Sequence, residues 1–277
     1  MVITIVAFLI SLGFQVLAPV GLAIGLRRRL GGSWSAFLLG AAIFGIFNLL
    51  TWQPLSTYLD QAVGSQLQDP SSRFVWLVAM AGIGAFLEEG GRWIGFRWLF
   101  RRFGLQLNPQ EALMSGLGHA AIETSLLIAG LTFMHLTLYL LLRSVDVSFL
   151  LDSLGAAPQD ELVGTLASLA ETRWDRPLWI ALDRAFSVLH QLAWAVLVAQ
   201  SLLSRQKRWF AYALFYHFGV AVIVPGVATL AGLALAEIIN AILAACSALV
   251  ALWLVSANGV ALRRPERAPT QATPPGI

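Results

Sequence analysis

The sequence FVWLVAMAGIGAFLEEGGRWIGFRWL, residues 74–99, has the length and apolar content of a membrane-spanning helix. A helix crosses the ~30 Å hydrocarbon layer of a bilayer with about 20 residues. Glu88, Glu89 and Arg92 nevertheless lie inside this stretch. An ionised side chain at the centre of a membrane helix costs roughly 2.5–3.5 kcal/mol on insertion scales. Such a cluster is tolerable only where it faces a protein-lined polar cavity, so the sequence predicts one here.

Residue composition places the whole chain in the membrane class. Hydrophobic residues make up 58% of the chain and charged residues 12%, whereas a soluble domain carries about 25% charged residues. The net charge of +3 would also suit a nucleic-acid partner. The basic residues, however, form short runs between apolar segments, which is typical of cytoplasmic loops and argues against nucleic-acid binding. These runs are residues 27–29, 96–102, 204–208 and 263–267.

The apolar segments predict an all-α polytopic membrane protein with about seven transmembrane helices. The predicted spans are residues 2–26, 34–52, 74–99, 112–142, 177–203, 209–228 and 230–256. An outside N-terminus and a cytoplasmic C-terminus place all four basic runs on the cytoplasmic side. Residues 1–256 then form a single transmembrane helical domain. The Pro- and Ala-rich residues 257–277 are predicted to be a disordered cytoplasmic tail.

Two shorter features complete the predicted topology. The motif VPGV at 224–227 predicts a tight turn between the last two spans, because proline stops a helix and glycine tolerates a turn. Residues 160–170 place apolar side chains at helical spacing, which predicts a short amphipathic helix. This helix would lie on the outer surface, in the predicted outside loop 143–176.

Further ionisable side chains lie inside the fourth, fifth and sixth predicted spans. They are His119, Glu123, Asp183, Arg184, His190 and His217. At ~1.5 Å rise per residue, the three histidines and Glu88 lie about 12 to 21 Å from the cytoplasmic helix ends, at or near one level. Glu88 and Arg92 are four residues apart, and so are His119 and Glu123. Asp183 and His190 are seven residues apart. At these spacings the two residues of each pair share one face of their helix. The sequence thus predicts a polar site enclosed by the third, fourth, fifth and sixth predicted transmembrane helices.

Three histidines on three helices, with carboxylates nearby, match the ligand needs of a catalytic zinc ion. Catalytic zinc takes three protein ligands and keeps one position for water, and we predict His119, His190 and His217 as those ligands. Zinc lowers the pKa of its water towards ~7, and a glutamate can accept the released proton. This is the chemistry of metal-assisted amide hydrolysis. Glu88 and Glu89 are the candidate bases, and we favour Glu88.

Four motifs resemble those of the YhfC-type family of intramembrane metalloproteases, which is related to the CAAX-protease-like (CPBP) and PrsW-type membrane proteases. They are EEGGR at 88–92, GLGHAAIE at 116–123, DRAFSVLH at 183–190 and YHFGV at 216–220. The resemblance implies that Arg92 holds or orients the paired acids. It implies that Glu123 is the partner of His119, and Asp183 is expected to support the site from behind. Some of these relatives are described as glutamate-based enzymes without a metal.

We therefore predict an intramembrane metal-dependent peptidase that acts on a membrane-associated peptide or protein near the cytoplasmic half of the membrane. Membrane lipid is the other expected partner, and the prokaryotic plasma (inner) membrane is the expected location. Two alternatives stay open at this point. Intramembrane acids and histidines also mark transporters and proton relays, and a non-catalytic scaffold subunit would keep the same polar cluster for packing.

Overall fold

A computed structural model describes residues 1–144 and 160–262 of the chain. Within these ranges the chain is helical, without a β-strand. The helices are α1 (Val2–Leu30), α2 (Trp34–Gln66), α3 (Pro70–Arg102), α4 (Pro109–Ser144), α5 (Asp160–Ala170), α6 (Arg176–Leu203), α7 (Lys207–Ala231) and α8 (Leu233–Leu262). All except the short α5 are long and apolar enough to cross a membrane, which confirms the predicted seven-span architecture.

Polar side chains and prolines set where the spans begin. Ser33, Asp69 and Asn108 each cap a helix by accepting a hydrogen bond from the backbone N–H three residues on. Pro70 and Pro109 follow two of these caps, where a missing backbone N–H costs nothing. The hydrogen bonds from Ser72 also hold the pKa of the Asp69 carboxyl below its ordinary value. These caps explain where the helices begin, whereas the second helix runs on to Gln66, well past the predicted end of its span at residue 52.

Three of the spans contain a stretch of wider π-helix. These stretches are Gly45–Trp52 in α2, Gly95–Leu99 in α3 and Ile122–Ile128 in α4. A π-turn rotates the residues beyond it relative to a regular helix, and such turns are frequent at functional sites. Asn48 and Glu123, two polar residues of the site described below, lie in these stretches.

Helix α6 is the most buried span and packs against α1, α4, α7 and α8. Close approach of α2 and α4 forms the other side of the core. A Cβ atom built on Gly118 would lie 1.8 Å from the Phe37 carbonyl oxygen, and one on Gly40 would lie 1.9 Å from that of Ser115. Only glycine fits at these crossings, as is common where membrane helices touch through their backbones. The Gly118 crossing also fixes the position of the next residue, His119.

Two local predictions need correction or fall partly outside the described residues. The turn predicted at 224–227 is wrong, because α7 continues through Pro225 and the chain turns at Gly232, whose φ is +91°. Membrane helices tolerate an internal proline when neighbouring groups satisfy the freed carbonyl. Residues 257–262 of the predicted tail belong to α8, which extends to Leu262. Residues 263–277, and residues 145–159 of the predicted outside loop, lie outside the described ranges. The predicted helix at 160–170 is present as α5.

Replacing Gly118 with alanine should destabilise the protein and displace His119, because the new methyl group meets backbone atoms that cannot move aside. Overpacking of a well-packed core typically costs about 1–3 kcal/mol. Gly130→Ala is the matched control, since a Cβ on Gly130 of the same helix has no heavy atom within 4 Å. Thermal unfolding in detergent should show a lower Tm for Gly118→Ala and an unchanged or higher Tm for Gly130→Ala. Equal Tm values for the two variants would contradict the crossing.

Candidate functional site

The guanidinium of Arg92 lies at the centre of the polar site and is 1% exposed. Its Nη1 donates hydrogen bonds to both carboxylate oxygens of Glu89, at 3.0 and 2.8 Å. Its Nη2 donates to Oε1 of Gln191 at 2.5 Å and lies 3.2 Å from Nδ1 of His119. One buried cation thereby links α3 to α4 and α6.

Glu89 is fully buried and is committed to two partners. Besides the ion pair with Arg92, its Oε1 lies 2.8 Å from Nδ1 of His217 on α7. Glu88 shares a helix face with Arg92 at a spacing of four, but the ion pair of Arg92 is not made with Glu88. Arg92 pairs with Glu89 at a spacing of three, and this contact turns Glu89 away from the cavity and towards the helix bundle.

Glu88 has different surroundings, although it is the next residue. Its side chain is 12% exposed and lies on the wall of a polar cavity. Its Oε1 accepts a hydrogen bond from Nδ2 of Asn48 at 2.5 Å, and its Oε2 lies 3.3 Å from Nε2 of His119. Glu88 is thus held by two polar neighbours while one side of the carboxylate faces open space.

The contact with Arg92 determines which nitrogen of His119 carries a hydrogen. A guanidinium has only N–H donors, so Nδ1 of His119 is the acceptor at 3.2 Å. In a neutral imidazole the hydrogen is then on Nε2. That nitrogen is buried, makes no hydrogen bond of good geometry within the described residues, and lies 3.3 Å from Glu88 Oε2. His119 therefore presents an N–H group beside the candidate catalytic carboxylate.

The other two histidines lie on either side of Trp194. The indole stacks on His217, with ring centroids 3.9 Å apart, and on His190 at 5.5 Å. His190 has both ring nitrogens occupied: Nε2 lies 3.0 Å from Oδ1 of Asn240, and Nδ1 lies 2.7 Å from Oγ of Ser247. His217 uses its Nδ1 in a hydrogen bond to Glu89.

A second ionic cluster lies next to the Arg92 cluster. Arg184 donates to Oε1 of Glu123 at 2.8 Å and pairs with its neighbour Asp183. Asn240 donates to Asp183 at 3.1 Å through Nδ2, so its Oδ1 faces His190. The sequence prediction that Asp183 and His190 share a face is consistent with this common partner.

Gln191 connects the two ionic clusters. Its Oε1 accepts from Arg92, and its Nε2 donates to Oε2 of Glu123 at 3.0 Å. Glu123 therefore contacts Gln191 and Arg184 in place of the predicted partner His119. Because Glu123 is the second residue of the π-helical stretch in α4, regular helix geometry does not hold at this point.

A cavity of about 210 Å³ runs along both clusters. Its walls include Glu88, Glu123, Asp183, Arg184, His190, Gln191, Trp194, His217 and Asn240. Polar groups of this number make the cavity suited to hold water, which needs several hydrogen-bonding partners. Of the eight predicted site residues, Glu88, Glu123, Asp183, His190 and His217 line this cavity. Glu89, Arg92 and His119 lie behind the wall and orient it.

The predicted three-histidine zinc site can be tested on hydrogen bonding. A metal-bound histidine uses the lone pair of one nitrogen and donates the other N–H to an acceptor. His217 meets this need, because its Nδ1 can donate to Glu89. His119 does not, because its second nitrogen faces the donors of Arg92, and His190 does not, because Asn240 and Ser247 occupy both of its nitrogens. Among the described residues, no three His, Cys, Asp or Glu side chains converge as metal ligands.

Several site residues were absent from the sequence prediction. Asn48, Gln191, Trp194 and Asn240 are not among the site residues predicted from the sequence. A polar amide inside an apolar span is the signal that marks Asn48, Gln191 and Asn240. Trp194 carries no such signal, because aromatic residues are common in membrane helices.

These features define a class: polytopic helical membrane proteins with an ionic site buried between their spans. The sequence model of the YhfC intramembrane metalloprotease family matches residues 14–244, and the chain belongs to this family. It is 26% identical over 250 residues to the uncharacterized membrane protein YhfC of Bacillus subtilis (strain 168). These residues cover 88% of this chain and 92% of that protein. No solved structure matches the chain.

Removing the Arg92 charge should destabilise the protein strongly, because Glu89 would then be a buried and poorly compensated anion. Breaking a buried pair by removing one partner costs about 3–5 kcal/mol. Arg92→Met should lower the Tm sharply, and the double variant Arg92→Met with Glu89→Met should recover part of the loss. Arg102→Met, at an exposed position of the same helix, is the control. A double variant no more stable than Arg92→Met would contradict the pairing.

Proposed function

We propose that this chain is an intramembrane peptidase that hydrolyses a peptide bond with Glu88 as the general base. The observation that supports this most strongly is the unequal environment of two adjacent acids. Glu89 is paired with Arg92 and His217. Glu88 instead lies on the cavity wall, where Asn48 and His119 hold its carboxylate. A general base must lie within hydrogen-bond reach of the proton it removes, and the cavity brings water within that reach.

The reaction needs one water molecule and one peptide bond. Glu88 takes a proton from the water while the water oxygen bonds to the carbonyl carbon of the peptide. The Nε2–H of His119 lies behind the cavity wall beside Glu88 and keeps that carboxylate oriented towards the water. The C–N bond then breaks, and Glu88 returns its proton to the leaving amine. Water and the peptide bond are consumed, and one carboxyl group and one amine result.

The surrounding residues keep this arrangement rigid. Arg92 orients His119 through Nδ1 and fixes Glu89, and Glu89 fixes His217. Gln191 contacts both Arg92 and Glu123, and Glu123 in turn pairs with Arg184. Active-site groups perform best when a second layer of hydrogen bonds holds them in place before substrate arrives. In this proposal Glu123 and Asp183 belong to that second layer.

The name of the family implies a metal, and zinc is the ion predicted from the sequence. As arranged here, only His217 presents a nitrogen prepared for a metal, and binding at His119 would require the Arg92 contact to break. The residues therefore do not fit a three-histidine zinc ion, and the steps above use none. The substrate is proposed to be a peptide segment in or at the membrane. The proposed location is the prokaryotic plasma membrane, with the site towards its cytoplasmic half.

Glu88→Gln should abolish cleavage and leave the fold intact, because the amide keeps the shape and loses the base. General-base catalysis typically contributes about 10²–10⁴-fold in rate, so a loss of that size is expected. The measurement is a search by mass spectrometry for new peptide termini when purified protein is reconstituted with a mixture of membrane proteins. Glu171→Gln, an exposed acid, is the control and should cleave as the wild type does.

Cleavage by Glu88→Gln at the wild-type rate would contradict the assignment of the base. If neither the wild type nor Glu171→Gln cleaves, while Glu88→Gln disrupts a complex with another membrane protein, the scaffold alternative is correct. A transporter would instead move a solute or proton across a sealed vesicle in a Glu88-dependent manner.

Metal analysis of the purified protein tests the chemistry separately. We expect less than one tightly bound zinc per chain, and peptidase activity that survives a chelator, because His119 and His190 are already engaged in other hydrogen bonds. His217→Ala should not change the metal content. One zinc per chain that is lost in both His119→Ala and His217→Ala would contradict this, and would restore the three-histidine prediction.

A further inference from the structure

A large groove lies on the outside of the helix bundle, separate from the polar cavity. It encloses about 850 Å³ between α3, the end of α6 and the start of α7. Its apolar walls are formed by Phe86, Trp93, Ile94 and Phe210. Phe86 is 58% exposed and Ile94 is 43% exposed, so the groove is open at the side. In a membrane this opening faces the lipid tails.

The floor of the groove is made by a residue without a side chain. A Cβ atom built on Gly90 has no heavy atom within 4 Å, and Gly90 lines the groove. On α3 the lining residues recur at helical spacing, with Phe86, Gly90, Ile94 and Arg97 on one face. The buried pair Glu89 and Arg92 occupies a different face of the same helix.

One end of the groove is positively charged. Four cationic side chains line it: Arg97, Arg101, Arg205 and Lys207. All four are exposed. In the part of the chain that the structure describes, none of them has an acidic partner within salt-bridge distance. Four cations beside each other, uncompensated by the protein, are complementary to an anion.

The backbone at this end adds two features. Arg205 has a φ of +56°, and it is the only non-glycine residue with a positive φ among residues 1–144 and 160–262. Non-glycine residues adopt this conformation at a cost, and such residues cluster where a ligand is held. Helix α7 starts at Lys207, and its N-cap residue Gln206 makes no side-chain capping bond. The free N–H groups and the dipole of a helix start favour a negative charge.

We propose that this groove binds an anionic phospholipid, with the phosphate at the four cations and an acyl chain along the apolar walls. A basic pocket between transmembrane helices at the membrane surface is the known setting for anionic headgroups. The apolar length behind the cations distinguishes a lipid from a free phosphate, since a free anion would leave Phe86, Trp93 and Phe210 uncovered. This lipid site does not depend on the proposed peptidase activity.

The test is retention of phosphatidylglycerol by purified protein, measured by native mass spectrometry and by the shift in Tm on adding the lipid. Phosphatidylcholine serves as the neutral lipid. We expect the wild type to prefer phosphatidylglycerol. Each cation near the surface contributes about fivefold in affinity, so Arg97→Gln with Arg101→Gln should weaken binding by about 25-fold. Arg28→Gln with Arg29→Gln removes the same charge at the exposed end of α1 and should change little.

Two further measurements separate the headgroup from the chain. Gly90→Leu should weaken phosphatidylglycerol binding without any change in charge, because the new side chain enters the groove from a position where its Cβ has no heavy atom within 4 Å. Glycerophosphoglycerol, the same headgroup without acyl chains, should fail to compete. Equal losses in the two arginine pairs, no preference for phosphatidylglycerol in the wild type, or full competition by the soluble headgroup would each overturn the proposal.

Discussion

A guanidinium buried inside a membrane bundle must have every N–H direction satisfied, and the architecture of this site follows from that constraint on Arg92. An isolated charge in this position would be prohibitively unfavourable. Glu89 supplies the counter-charge, Gln191 supplies a neutral acceptor, and His119 supplies a ring nitrogen. Each partner is itself positioned by a different helix. Loss of the guanidinium would therefore disturb three helices at once.

The same constraint separates the roles of two adjacent glutamates. Successive residues on a helix point about 100° apart, so only one of them can reach Arg92 and the core. Glu89 does so and is completely buried, while Glu88 is left on the cavity wall. Arg92 also imposes the Nε2–H form on His119, which turns a potential metal ligand into a hydrogen-bond donor beside Glu88. The proposed roles of Glu88 and His119 thus follow from the contacts that Arg92 makes with Glu89 and His119.

Much of the fold was predictable, because the strongest local signals agree with each other. Apolar runs of sufficient length predict the seven spans. In the structure, caps such as Asn108 with Pro109 set where the helices begin. The predicted turn at Pro225 failed because a membrane-spanning helix can continue through a single internal proline. The predicted pairing of His119 with Glu123 did not form because α4 widens to a π-helix at Ile122, and a four-residue spacing then no longer marks one face.

For the site, residue types were predictable and partners were not. Charged residues in an apolar span identify a polar cavity wherever they occur, which is how Glu88, Glu89 and Arg92 were found. Which nitrogen of a histidine faces a donor depends on side-chain geometry across helices, and no spacing rule contains it. The choice between a zinc ligand and a hydrogen-bond donor at His119 depends on that one fact, so the sequence left it open.

Nitrogen-15 solid-state NMR of histidine-labelled protein in lipid shows which ring nitrogen of His119 carries the hydrogen. The chain has 4 histidines, so the ring signals can be resolved, and a His119→Gln variant assigns the one in question. We expect a neutral His119 ring with its hydrogen on Nε2 and an unprotonated Nδ1 close to the guanidinium of Arg92. A ring with hydrogen on Nδ1 and a metal on Nε2 would contradict this expectation.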